Sequence, residues 1–419
     1  MFKKILNTAS TQFLGSIFNF LTFIVISRLL GPYYREEAGI MLSTIAFILV
    51  ASNLVSGASL IYLFPRVHKP TLIYISYGWS AFISALAFVI LKIYNQFEPL
   101  LGQYIFHICM LAFLNAFFNV NLQVLISEEK INTANRLKLF HFIPIFPVVF
   151  IAIYLLKIEN SNAYMYGLYT GYLSISILSL YQIRKHLKPI KLVQIKSIIK
   201  DAFKFGAWNQ AGNLVQTLNL RLSYYILHDP NNLSSIALGN YSNAVSICEA
   251  IWIVTRSVAL VQYARISNSK DNKYNVKLTL SLSKWSFIIC SIGIIPIVML
   301  PSNFFQFIFG QEFYLIADII KWLAPSVVLY NFAYIIAHYY SGNGRYQINL
   351  ISSSIGLVVT LSCIHYFIEL YSQNGAALTA TLSYLASSIF MLSYFSYQHK
   401  LNAKQFLPTW QELKFLTKK

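Results

Sequence analysis

Near the middle of the chain, Gln210, Asn213, Thr217 and Arg221 recur at i, i+3, i+7 and i+11. That spacing keeps them within roughly 80° of helix circumference. The next apolar stretch repeats the arrangement with Ser242, Ser246, Glu249 and Arg256. Guanidinium groups grip oxyanions through a planar fork of donors, so two arginines on polar stripes read as an anion-binding wall. Glu249 reads as a charge partner or a coupling-ion site, since a carboxylate in low-dielectric surroundings can exchange a proton or hold a cation. Seven positions separate Glu249 from Arg256, about 10 Å along a helix axis. The sequence therefore predicts no direct contact between those two and makes Arg221 the natural partner of Glu249. The alternative to a binding role is an internal salt bridge that only locks two helices together. Asp318 and Lys321, three apart in a later stretch, form either a second charged site or a local surface pair.

The elements that must hold these residues are membrane spans. The 419 residues are 57% hydrophobic and 11% charged, with mean hydropathy +0.57. A soluble domain carries roughly 25% charged residues. Windows of about 20 apolar residues give twelve candidate helices, roughly 6–30, 38–64, 71–93, 100–126, 138–156, 163–183, 203–227, 236–264, 279–300, 313–340, 348–370 and 376–397. The expected class is thus all-α and polytopic, with twelve transmembrane helices in two six-helix bundles. The formal charge of +18 then belongs to short loops beside apolar spans. It fixes topology and attracts membrane lipids rather than nucleic acid, for which no aromatic-basic motif exists.

The stretch Arg184–Lys204 carries seven cations against Asp201 and divides the sequence. Placing it and Lys3–Lys4 in the cytoplasm puts 24 cations on one side, with Arg35, Lys92 and Lys157 on the other. An even number of crossings with both termini cytoplasmic satisfies that split. The expected division is an N-terminal bundle at 1–184, a basic linker at 185–202, a C-terminal bundle at 203–398 and a basic tail at 399–419. The N-terminus reads as a retained first span, since no small-residue cleavage site follows its apolar run.

Enzyme chemistry finds little support. There is no Walker A sequence, no D-x-D pair, and no arrangement of Ser/His/Asp or Cys/His. The four cysteines lie in apolar stretches without metal-ligand spacing and read as small core residues. His107, His141, His338 and His365 are scattered and read likewise as hydrogen-bonded core residues. Pro144, Pro147, Pro296 and Pro325 fall inside spans and mark kinks. No cofactor is expected; coupling to H+ or Na+ is open.

The two halves resemble each other. Gly15 and Gly212 sit in similar polar-flecked helices, and Gln12, Ser16 and Asn19 match Asn209, Asn213 and Gln216 at an offset of 197. Six plus six helices that both start inside make a parallel repeat. Ser27-Arg28-Leu29-Leu30-Gly31-Pro32, followed by Ala38-Gly39, resembles the first hairpin of Wzx-type polysaccharide flippases, members of the multidrug/oligosaccharidyl-lipid/polysaccharide (MOP) exporter superfamily. Ser341-Gly342-Asn343-Gly344-Arg345 is similar to that family's short Gly-Arg turn. Between Gly31-Pro32 and Gly39 the chain is longer than the family pattern, which bears on the shape of the first outer loop.

The resemblance implies a MATE/MOP-like fold in a bacterial inner (cytoplasmic) membrane. It also implies a substrate, an oligosaccharide repeat unit linked through pyrophosphate to undecaprenol, for O-antigen or capsule biosynthesis. A glycan polymerase and a chain-length regulator become candidate partners. Arg221 and Arg256 would then hold the pyrophosphate, with Arg28 either a second station or a snorkelling interfacial arginine. Gln210, Asn213, Thr217, Ser246, Trp252 and Asn331 become candidate sugar contacts, and Trp208, Trp322 and Tyr334 further stacking surfaces. The rival readings are a multidrug or cation exporter of the same superfamily, which would want a more acidic site, and a non-transporting scaffold for glycan assembly.

Overall fold

The computed structural model describes residues 2–96, 102–128, 130–191, 195–228, 235–267, 269 and 271–406. Its helices in the first part of the chain are α1 (Phe2–Leu30), α2 (Pro32–Ser56), α3 (Ala58–Leu63), α4 (Lys69–Tyr94), α5 (Ile105–Ser127), α6 (Ile131–Phe142), α7 (Ile145–Tyr154) and α8 (Asn162–Ile183). The remainder holds α9 (Ile195–Leu227), α10 (Ser235–Ser267), α11 (Asn272–Val298), α12 (Ser302–Phe309), α13 (Ile316–Gly342), α14 (Tyr346–Tyr371) and α15 (Gln373–His399). No strand occurs among the described residues.

Each of the twelve expected spans meets a helix, with two of them broken. The second is interrupted at Gly57, between α2 and α3, and the fifth at Ile143-Pro144, between α6 and α7. Proline removes a backbone donor and crowds the preceding turn, which accounts for the second break. Among the described residues ten stretches are long and apolar enough to cross a membrane. α8 and α9 have the length, at 22 and 33 residues. Tyrosines in α8 (164, 166, 169, 172 and 181) and amides in α9 (209, 210, 213, 216 and 219) keep them below that apolar level. The helix carrying the candidate stripe is thus one of the two least apolar.

The first outer turn is shorter than the sequence suggested. Gly31, at φ 89°, is the single residue between α1 and α2, and Pro32 opens α2. A positive φ suits glycine, and proline suits a first helical turn. Tyr33–Ala38 therefore lie in helix, not in a loop. Arg35, expected among the loop cations, is buried with its guanidinium 4.0 Å from the Phe23 ring centre. Its neighbour Glu36 is buried too, and Ser161 donates a hydrogen bond to Glu37.

Contacts group the chain into two units, Leu14–Thr217 and Met1–Phe13 with Leu218–Lys419, so the divisions fall inside α1 and α9. In the Leu14–Thr217 unit, α5 is the central helix. Its Val120, Leu122, Val124 and Leu125 meet Leu60, Leu63, Phe64, Leu72 and Ile73 in one buried cluster. Ile198 and Ala202 join that cluster, so residues 195–202 of the expected linker are packed helix. α9 approaches α2 closely at Gly206: a Cβ there would lie 2.0 Å from the Leu54 carbonyl oxygen. Gly206→Ala should lower stability by about 1–3 kcal/mol, because backbone cannot move aside as a side chain can. A thermal unfolding midpoint in detergent reads this directly.

One end of this unit is tied by Glu128. Its carboxylate accepts from Lys130 at 2.8 Å, Lys185 at 3.0 Å and His186 at 2.7 Å. Burial alone would raise the Glu128 carboxyl, but bonds from the two lysines and the nearby imidazole outweigh it and hold the pKa at about 2. The folded value lies below the ordinary 4.5, so Glu128 contributes stability that is present above pH 4.5 and is lost as pH falls towards about 2. Stability of the wild type and of Glu128→Gln should therefore differ at pH 7 and converge on acidification, a comparison that unfolding midpoints across pH will make.

In the other unit, α13 runs through the middle. Ile335 of α13 packs with Ala259 of α10 and with Leu278 and Leu282 of α11. α14 and α15 meet through small polar residues: Ser387 donates to the Ser352 carbonyl at 3.0 Å and Ser383 to that of Gly356 at 2.9 Å. Small residues let two helix backbones approach closely where lipid offers no hydrophobic drive to association. The Ser341–Arg345 motif closes α13, with Gly344 at φ 72° and Asn349 donating to Ser341 Oγ at 2.8 Å.

Candidate functional site

Arg221 of α9 and Glu249 and Arg256 of α10 form one charged group inside the Leu218–Lys419 part of the chain. Arg221 Nη2 lies 3.0 Å from Glu249 Oε1 and 3.2 Å from Oε2. Arg221 Nη1 also donates to the Tyr224 hydroxyl at 3.4 Å. The expected Arg221–Glu249 pairing is therefore present. The expected separation of Glu249 from Arg256 is not: Arg256 Nη2 is 3.8 Å from Glu249 Oε2. The two residues share a helical face, and a helical Cβ tilts towards the N-terminus. The long Arg256 side chain thus runs back along α10 and spans the two turns that a Cα estimate treated as a gap.

Two guanidinium groups and one carboxylate give this group, among the described residues, a net charge of one positive unit. The arginines are not equivalent. Arg221 makes the closer contacts and its side chain is 24% exposed, whereas Arg256 makes one long contact and is 40% exposed. An oxyanion arriving at this group meets Arg256 with free donors, while Arg221 stays engaged by Glu249. Charged groups at membrane depth are costly and tend to face water or function.

Aromatic rings line the group. The Arg256 guanidinium lies 6.0 Å from the Trp252 ring centre, and Trp252 packs against Tyr330 at 5.3 Å and Tyr384 at 5.9 Å. The Trp252 indole N–H is committed to the Val327 carbonyl at 2.9 Å and the side chain is buried. In this conformation Trp252 supports the arginine and presents no open face for stacking. Asn331 is likewise buried, accepting from Thr255 at 2.6 Å. Ser246 returns its hydroxyl to the Ser242 carbonyl at 2.7 Å.

The neutral half of the α9 stripe belongs to the Leu14–Thr217 unit. Asn213 donates to Gln210 at 3.1 Å and Thr217 to the Asn213 carbonyl at 2.7 Å. Sequence reasoning missed the amides that accompany them. On α5, Gln123 donates to Asn119 at 3.4 Å, and Asn119 to Asn53 of α2 at 2.5 Å. A Cβ at Gly57 would lie 3.1 Å from Gln210 Nε2 and 3.3 Å from Asn53 Cβ, which places both amides beside one glycine. The signal was available: Asn115, Asn119 and Gln123 recur every four residues. Primary amides offer two donors and a two-lone-pair acceptor each, a lining suited to hydroxyl groups.

Arg28 is exposed in the last turn of α1. Asp318 and Lys321 pair at 2.8 Å with both side chains more than half exposed, the geometry of a local surface pair. Trp208 and Trp322 are exposed, and Trp322 offers its carbonyl to Thr381. Among the described residues no cluster of His, Cys, Asp and Glu could hold a metal ion.

No protein-family model and no curated protein sequence matches the chain. Solved structures do. The chain is similar to a multidrug resistance MATE family transporter of the MOP superfamily in an inward-facing conformation, with TM-score 0.70 and 15% identity, covering 96% of this chain and 100% of that one. It is similar to the lipid II flippase MurJ in an inward closed conformation, with TM-score 0.68 and 12% identity over 95% and 88% of the two chains. A MOP superfamily transporter from Pyrococcus furiosus, whose reverse pocket polarity suggests a different function, aligns with TM-score 0.67 and 15% identity over 95% and 96%. At such identities the likeness speaks for fold. The chain has an all-α, polytopic membrane fold of the MATE/MOP type.

Proposed function

We propose that this protein is a flippase that carries undecaprenyl-pyrophosphate-linked oligosaccharide repeat units across the bacterial inner membrane by alternating access. The observation that carries the reading is the residual positive charge of the Arg221–Glu249–Arg256 group, set in a fold also adopted by a lipid II flippase. A pyrophosphate head would engage Arg256 first through the guanidinium fork and then compete with Glu249 for Arg221. As a separate candidate within the Leu14–Thr217 unit, the amides Gln210, Asn213, Asn119 and Asn53 would offer hydrogen bonds to hydroxyl groups. With no Walker A sequence in the chain, bias would come from an ion gradient, the membrane potential or removal of product.

A drug or cation exporter would favour a site of net negative charge, and this group is net positive. The test is complementation of a deletion strain by the Arg221→Ala, Arg256→Ala double variant. The proposal expects loss of surface glycan with the protein still inserted in the membrane. Unchanged surface glycan contradicts it.

A further inference from the structure

One end of the Leu14–Thr217 unit carries a dense basic face that the transport reading does not use. It is built from the α3–α4 junction, the α5–α6 junction and residues 184–191. Arg66, Lys69, Lys130, Lys185, Lys188 and Lys191 are all exposed there. The pieces are fixed in place rather than strung out as a loop. Glu128 draws Lys130 and Lys185 together, and the His186 ring packs edge-on against Phe64 at 5.5 Å. Lys69 Nζ lies 4.9 Å from that same Phe64 ring centre. Further along, the Lys191 backbone N–H donates to Thr71 Oγ1 at 2.9 Å. The start of α9 adds Lys196, Lys200 and Lys204 against Asp201, and Glu129, next to Glu128, lies outside the described residues.

The placement of these charges says what they meet. Lys69 is the first residue of one membrane stretch, Glu128 follows the last residue of another, and Lys130 precedes the first residue of a third. The face therefore lies at the boundary between hydrocarbon and water. Arg66 stacks 3.9 Å from the ring centre of Tyr62, and Arg184 the same distance from that of Tyr181, with both tyrosines exposed. Tyrosine rings at this depth are amphipathic interface residues, and cations beside them reach the headgroup layer. Each lysine ammonium has three donors, so Lys130 and Lys185 keep two each after serving Glu128.

We infer that this face binds the headgroups of anionic phospholipids, with the phosphodiester held by Arg66, Lys69, Lys130 and Lys185 while the acyl chains run beside α4 and α5. A phospholipid fits better than a soluble phosphate, because the cations form an exposed rim at the ends of membrane spans. The site stands independently of the Arg221–Glu249–Arg256 group and of any transported substrate.

The test uses the full-length protein in detergent, offered phosphatidylglycerol or phosphatidylcholine, with bound lipids counted by native mass spectrometry. The Arg66→Gln, Lys69→Gln, Lys188→Gln variant removes three exposed cations and leaves the Glu128 contacts intact. Lys92→Gln with Lys157→Gln removes two exposed cations elsewhere and serves as the control. The wild type should prefer phosphatidylglycerol, and that preference should fall by about fivefold per cation removed from the face. The control should keep it. A wild type without preference, a triple variant that retains it, or an equal loss in the control overturns the assignment. So does full displacement of phosphatidylglycerol by an equal concentration of inorganic phosphate, which would make this a soluble-phosphate site.

Discussion

Arg256→Glu should weaken binding of a pyrophosphate-bearing lipid on the order of 100-fold while the protein still folds and inserts. A charge-assisted hydrogen bond contributes about 1.5–3 kcal/mol, and reversal adds repulsion to its loss. The fold should survive because Arg256 is the half-exposed member of the group, with a single long contact to Glu249. Arg256→Lys should fall between, by about tenfold, since an ammonium keeps the charge and loses the fork. Binding isotherms for the three proteins, with far-UV circular dichroism as the control for folding, give the comparison. Equal affinity for the wild type and Arg256→Glu would show that the anion binds elsewhere.

Arg221→Ala should act on stability, and its partner substitution should rescue part of the loss. Arg221 is the tighter ligand of Glu249, at 3.0 and 3.2 Å. Removing it leaves a mostly buried carboxylate with only the long Arg256 contact, which should cost about 2–3 kcal/mol. Removing both charges, as in Arg221→Leu with Glu249→Leu, should cost less than Arg221→Ala alone, because no uncompensated charge stays behind. Unfolding midpoints of the single and double variants measure the coupling directly. Additive losses would mean that the pair adds nothing to the packing of α9 on α10.

Much of this architecture is legible in the sequence, because a bilayer asks for long apolar helices and little else. The twelve stretches, the kink at Pro144 and the one-face spacing of Gln210, Asn213, Thr217 and Arg221 all follow from periodicity and proline chemistry. Three features were not legible, each for a physical reason. Arg35 looked like a loop cation because apolar windows begin late, whereas Gly31-Pro32 starts α2 at once and turns Arg35 onto Phe23. Arg256 looked out of reach of Glu249 because axial rise describes backbones, and a long side chain leaning towards the N-terminus covers two turns. The amides Asn53, Asn119 and Gln123 were passed over because neutral residues carry no charge signature, although their spacing on α5 was there to read. Trp252 shows the converse: its type suited a sugar platform, and packing against Tyr330 and Tyr384 gives it a supporting place.

The most direct test of the anion site compares the affinity of the purified wild-type protein for undecaprenyl pyrophosphate with that for undecaprenol, at low and high salt. The account predicts that the pyrophosphate lipid binds far more tightly, that salt erodes the difference, and that Arg221→Ala with Arg256→Ala abolishes it. Equal affinity for the two lipids, or a difference that survives loss of both arginines, would contradict it.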